Sequence, residues 1–377
     1  AVPTTYNVTV NSLPTPNLAG PNNVCEASTG NIYTTDVGMS NYSWAVSAGG
    51  TITAGGGVND NTVTITWNTP GAQTVSINYD DINGCAALTP TVYNVTVNTL
   101  PTPTLTGPND VCEASIGNVY TTDAGMTNYS WAVSAGGTVT AGGGINDNSV
   151  TVTWNTAGAQ NVSINYDDAN GCAAVAPTTY NVTVNALPTP ALAGPNSVCE
   201  ASTGNVYTTD AGMTNYSWVV SAGGTITAGG GVNDNTVTIT WNTAGPQTVS
   251  ANYNDANGCG AAAPTIYNVI VSGLPTPALA GPNSICEAST GNVYTTDAGM
   301  TNYVWVVSAG GTITAGGGIN DNSVTVTWNT AGAQTVSVNY NNASSCSALT
   351  PTVYNVTVNT LPVPTLAGPN DVCEASI

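Results

Sequence analysis

The chain has 377 residues with no Lys, Arg or His against 20 Asp and Glu, a net charge of −20. Without cationic groups to release phosphate counterions, nucleic acid is all but excluded as a partner, and anionic membrane surfaces are disfavoured. Proton shuttles and base-activated Ser or Cys nucleophiles are poorly served for the same reason, which argues against an enzyme.

A ten-residue segment, GPNNVCEAST at 20–29, organises the rest. It returns with small changes, placing cysteines at Cys25, Cys112, Cys199, Cys286 and Cys373, each 87 residues after the last. Such a period marks a tandem array. The implied modules are 13–99, 100–186, 187–273 and 274–360, with 1–12 read as the last strand of a preceding module and 361–377 as the start of a following one. The window reads as cut from a longer array, with any export signal outside it. No apolar run approaches transmembrane length, so direct membrane insertion is not expected.

Within the first module, the Pro-rich LPTP at 13–16 is a stiff, extended junction. A short strand is predicted over 17–25, broken by Gly20-Pro21, and EASTG turns the chain into a second at NIYTTD. NYSWAVS alternates, with Tyr42, Trp44 and Val46 on one face. A short strand between glycine turns follows, and then TVTITWN directs Val63, Ile65 and Trp67 inward. TVSINY does the same with Val75, Ile77 and Tyr79. Asn83-Gly84 is a hairpin signal, and the last strand presents Tyr93, Val95 and Val97. Seven short strands without helical periodicity predict an all-β fold, a tandem array of immunoglobulin-like antiparallel β-sandwich modules. The third and fourth modules add apolar residues to an outer face at Val219, Val304 and Val306.

A second cysteine recurs at Cys85, Cys172, Cys259 and Cys346. Two per module point to an oxidising, extracellular setting, against the alternative of buried free thiols. Pairing is expected within modules: Cys25 with Cys85, Cys112 with Cys172, Cys199 with Cys259 and Cys286 with Cys346. Each bond would close a loop worth about 4 kcal/mol. Energy does not separate this from Cys85–Cys112, and it requires Cys25 to lie near the pole where the module begins.

The acidic pairs Asp80-Asp81 and Asp167-Asp168 become Asn254-Asp255 and Asn341-Asn342, so a repeated two-carboxylate active site is not supported. Asp80, Asp81 and Asn83, or Asn59, Asp60 and Asn61, could ligate calcium, but such residues more often build turns. No cofactor is therefore expected, with calcium as the alternative. Glu26, Asp36 and Asp60 recur in every module but stand isolated in sequence. Trp44 and Trp67 fall on core faces, against a sugar-stacking role. Sequons at Asn41, Asn94 and Asn128 occupy outward strand positions.

As a set, GPNxVCEAST, the Tyr-x-Trp strand at Tyr42 and Trp44, GGTITAGGG, TITWNT with Trp67, and the Asn-Gly-Cys hairpin resemble a known family. They resemble the PKD-like and immunoglobulin-like repeats of giant surface proteins in Bacteroidetes-type bacteria, including gliding-motility adhesins exported by the type IX secretion system. The resemblance spans the whole chain. It implies a non-enzymatic structural or adhesive fibre, extracellular and on the cell surface. Expected partners are other copies or modules of the same fibre, with surface glycans or other cell surfaces beyond them. The WDFGDG signature of PKD domains is missing, since AVSAGG follows Trp44, so their ligand preferences do not transfer. The alternatives are a carbohydrate-binding surface array, or a passive spacer presenting a domain outside this window.

Overall fold

Alternation of β-branched and aromatic residues with Thr, Ser and Asn makes a strand with one apolar face, and two such faces must close on each other. In the computed structural model, which describes residues 1–368, they do so four times. The fifth copy of the recurring segment, with Cys373, lies outside the described residues. The first repeat consists of β1 (Asn23–Cys25), β2 (Asn31–Thr34), β3 (Ser40–Val46), β4 (Gly50–Gly55), β5 (Thr62–Trp67), β6 (Gly71–Asp80) and β7 (Thr91–Asn98). The same seven strands recur in each later repeat, the fourth adding a two-residue strand, Leu279–Ala280, and there is no helix among the described residues. One sheet has the order β1-β7-β6-β3 and the other β2-β5-β4. The chain divides into two units, residues 1–186 and a second beginning at Leu187, each holding two repeats.

The core of the first repeat holds most of the inward set read from the sequence, joined by Tyr33, which that reading did not single out, while Trp44, Val46 and Tyr93 are half-buried against it. Val63, Ile65 and Trp67 of β5, Val75 and Ile77 of β6, and Tyr33 of β2 are wholly buried, with Val95 and Val97 of β7 against them. Trp67 meets Tyr33 edge to face at 6.3 Å and donates its indole N–H to the Tyr33 hydroxyl at 3.0 Å. That hydroxyl in turn donates to the Pro21 carbonyl at 2.9 Å. A buried indole N–H with a partner avoids the penalty of an orphaned donor.

The strand predicted over 17–25 is split between the two sheets. Ala19 bridges Thr34 beside β2, while Asn23–Cys25 runs parallel to β7, with Val24 opposite Val97. Gly20-Pro21 is the crossing. A Cβ on Gly20 would sit 2.3 Å from the Tyr33 ring, and the Gly20 carbonyl accepts the Tyr93 hydroxyl at 2.6 Å. Gly107, Gly194 and Gly281 stand in the same place in the later repeats. Gly20→Ala is therefore expected to cost about 1–3 kcal/mol by overpacking, read as a lower denaturant midpoint for that repeat. An unchanged midpoint would refute the close approach.

EAST turns the chain at the far end of β1. Ala27 takes a left-handed φ of 59° while its N–H reaches the Trp67 carbonyl at 2.7 Å. Glu26 N–H bonds the Asn98 carbonyl at 2.8 Å, holding the turn against the end of β7. Residues 1–12, read as the last strand of a preceding module, are exposed and carry no strand.

Candidate functional site: the junction between repeats

The described residues concentrate their unusual chemistry where one repeat ends and the next begins. Because β1 is parallel to β7 and pairs with its last residues, Cys25 stands opposite Asn98 at the pole where the first repeat ends. Cys85 stands at the other pole. Gly71, at the start of β6, pairs with Val97, and Cys85 lies beyond Asp80 at the end of the same strand. Ten residues of strand separate the two poles, roughly 30 Å, whereas a disulfide needs Cα atoms within about 7 Å.

The intramodule pairing expected from the sequence is therefore overturned. Cys25 bonds Cys172 of the second repeat, with Cα atoms 5.5 Å apart, and Cys199 bonds Cys346 of the fourth, at 5.6 Å. Both bonds span 147 residues, one repeat more than the pair first expected. Cys112 and Cys259 are also disulfide-bonded, whereas Cys85 and Cys286 are free. The Cys25–Cys85 and Cys286–Cys346 pairs and the Cys85–Cys112 alternative are all absent. Six disulfide-bonded cysteines suit an oxidising, extracellular compartment.

The hairpin cysteine is held by a local turn. The Asp168 carboxylate accepts the Cys172 N–H at 2.9 Å and the Asn170 N–H at 2.8 Å. Asp81 holds Cys85 and Asn83 in the same way, each at 2.8 Å. One oxygen of this carboxylate thus carries two N–H donors, the turn role weighed above against calcium. Among the described residues, no group of three His, Cys, Asp or Glu is arranged to hold a metal ion. The fourth repeat replaces the aspartate with Asn342. Its amide still accepts from Cys346 N–H at 3.0 Å and also donates to the linker carbonyl of Gly273 at 2.9 Å, which a carboxylate could not do.

Asp36, isolated in sequence, turns out to anchor the junction to the core. Its carboxylate accepts the Tyr79 hydroxyl at 2.6 Å, the Asn17 backbone N–H at 2.9 Å and the Asn17 side-chain amide at 3.0 Å. Thr91 Oγ1 fastens the same linker through the Pro16 carbonyl at 2.6 Å. Asp123, Asp210 and Asp297 repeat the arrangement with Tyr166, Tyr253 and Tyr340. Only the fold brings Asn17, Asp36 and Tyr79 together.

These contacts predict how stability responds to pH. The tyrosine hydroxyl and the Asn17 donors hold the Asp36 carboxyl below its usual range, and Asp123, Asp210 and Asp297 are lowered by the same kinds of bond. Burial, then the bond to Asp210, pushes Tyr253 up to about 12, and Tyr79, Tyr166 and Tyr340 move the same way. A carboxyl lowered in the folded state contributes stability above the unfolded pKa near 4, lost as pH falls through the folded value. A tyrosine raised in the folded state contributes below the unfolded pKa near 10, lost as pH climbs through the folded value. With no His, Lys or Arg, the melting temperature should form a plateau from about pH 5 to about pH 9. A melting temperature that slopes steadily across that window would refute it.

The tryptophans divide into two sets, with Trp44 and Trp131 half-buried and the other six buried. Trp67, Trp154, Trp241 and Trp328 are wholly buried, and Trp44, Trp131, Trp218 and Trp305 donate their indole N–H to backbone carbonyls. Asn41 is not a simple outward strand residue. It has a left-handed φ of 54° at a bulge and donates to the Asp80 carboxylate at 2.7 Å. Val219, Val304 and Val306 are exposed.

No curated protein matches the chain. Among solved structures, invasin, described as a bacterial integrin-binding protein, is similar at 14% identity over 92% of this chain and 79% of its own, with a TM-score of 0.31. The ICAM-5 D1–D4 ectodomain fragment is 12% identical over 91% and 99%, with a TM-score of 0.36. The human desmocollin-1 ectodomain is 10% identical over 92% and 79%, with a TM-score of 0.26. At that level of superposition, neither their ligands nor their assembly bears on this chain. The PKD-like domain family matches four times, at residues 12–95, 98–182, 185–269 and 274–356. These matches cover most of the sequence, and the chain belongs to the PKD-like domain family as a tandem array of its repeats.

Proposed function

We propose that this chain is a stretch of a non-enzymatic fibre on the outside of a cell, built to carry tension between an anchorage and whatever the fibre touches. The observation that carries this reading is the bond from Cys25 to Cys172, which ties one repeat to the next instead of stapling a core. A linker fastened at both sides and bypassed by a covalent bond transmits load without lengthening. The four family matches fit an extracellular setting, and the bacterial surface and export through the type IX system rest on the resemblance to gliding-motility adhesins alone. Near-identical neighbours invite mispairing during folding, so oxidation after export fits bonds that join one repeat to the next. Other copies or modules of the fibre are its first partners, and no cofactor is required.

Immunogold labelling of producing cells with an antibody to the repeats is expected to mark filaments outside the envelope. Labelling confined to the cell interior would sink the proposal.

A further inference from the structure

The outer face of the four-stranded sheet is not the same in the two units. In the first repeat β3 turns Ser43 and Ala45 outward, and Asp80 closes β6 on that side. At the matching positions Ala45 becomes Val219 in the third repeat and Val306 in the fourth, and Ser43 becomes Val304 in the fourth. Beside them, Thr179 of the second repeat gives way to Ile266 and Val353, and Thr96 of the first to Ile270 in the third. These six apolar residues are 53–64% exposed. Four of them form rows across the strands. Val219 pairs with Ser250 and Ser250 with Ile266, while Val306 pairs with Ser337 and Ser337 with Val353.

The same faces lose their charge. Asp80 and Asp167 become Asn254 and Asn341, and Asp110, which pairs beside the last strand of the second repeat, becomes Ser197 and Ser284. In the third and fourth repeats, none of the four strands of this sheet contains Asp or Glu. Glu26, Asp36 and Asp60, which stand outside its strands, keep acidic counterparts throughout. Elsewhere the apolar changes run the other way, since the exposed Val37 and Ile82 become Ala in every later repeat.

We propose that this face of the third and fourth repeats is where a second copy of the chain docks, sheet against sheet, joining fibres side by side. A chain of net charge −20 without cations repels its copies wherever carboxylates meet. A cationic partner would select the first two repeats, which keep their acids, whereas a like-charged copy needs apolar ground free of them. From strand rise and spacing, each face measures roughly 20 by 20 Å, about 400 Å². The two together offer about 800 Å² a side, the size of a standard specific interface. The proposal rests on the fibre reading, which supplies copies side by side, yet its failure would leave a surface fibre standing.

The test follows the full oxidised chain, its free thiols capped with iodoacetamide, by sedimentation equilibrium. Self-association is expected, and it should tighten as sodium chloride rises, because salt screens the repulsion and spares the apolar contact. Val219→Asp with Val306→Asp should weaken it at least tenfold, whereas Ala45→Asp with Ala132→Asp, at the matching positions of the first two repeats, should leave it unchanged. Val306→Thr keeps the shape without adding charge and should weaken it as well. A chain that stays monomeric at high salt, association that salt weakens, or equal loss from both aspartate pairs would overturn the proposal.

Discussion

Pulled by its ends, the oxidised chain should yield almost no length from the residues between Cys25 and Cys172, and the reduced chain should yield all of it. The two Cα atoms already stand 5.5 Å apart, and the bond carries load past the 147-residue span they enclose. The second enclosed span runs from Cys199 to Cys346. Between them, the stretch from Cys172 to Cys199 (199 − 172 = 27) stays in the direct path of these two bonds. At about 3.5 Å per extended residue, reduction adds roughly 500 Å for each enclosed span, against at most about 90 Å from the exposed stretch. Single-molecule extension with and without a reductant reads this directly. Steps of about 300 Å in the oxidised chain, one repeat each, would contradict the bonding pattern. Each closure is also worth about 5 kcal/mol in the loop-entropy model, so reduction should lower stability as well as stiffness.

Trp67→Ala is expected to destabilise the first repeat while leaving the others in place. Removing a wholly buried Trp costs about 3–5 kcal/mol, and a domain of this size has about 5–13 kcal/mol to lose. The buried clusters do not cross repeats. Leu105, Tyr120 and Trp154 belong to the second, Tyr207 and Trp241 to the third, and Tyr294 and Trp328 to the fourth. Calorimetry of the variant should therefore resolve a low-temperature transition from one repeat ahead of the rest. A single transition moving as a whole would mean that the repeats share their stability.

The period, the seven strands and their inward faces were legible because a strand's side chains alternate with a fixed period of two, so local pattern states which face is apolar. Trp67, Ile65 and Val63 needed nothing else. The Gly20-Pro21 break was visible too, but not its purpose. Its reason is the Tyr33 ring, 13 residues on in sequence and in direct contact in space. The carboxylates divide in the same way. Asp81 bonds within its own turn and could be read locally, whereas Asp36 acts through Asn17 and Tyr79 from either side.

By itself, then, the sequence determined a four-repeat β-sandwich array without cationic groups, with cysteines at two recurring positions. Which cysteines bond was decided by the direction of β1. Three residues running parallel to β7 carry Cys25 to the pole where its repeat ends. Loop-closure entropy varies only with the logarithm of loop length, so spacing ranks the candidate pairs hardly at all. Distance ranks them decisively, and only the folded chain has distances.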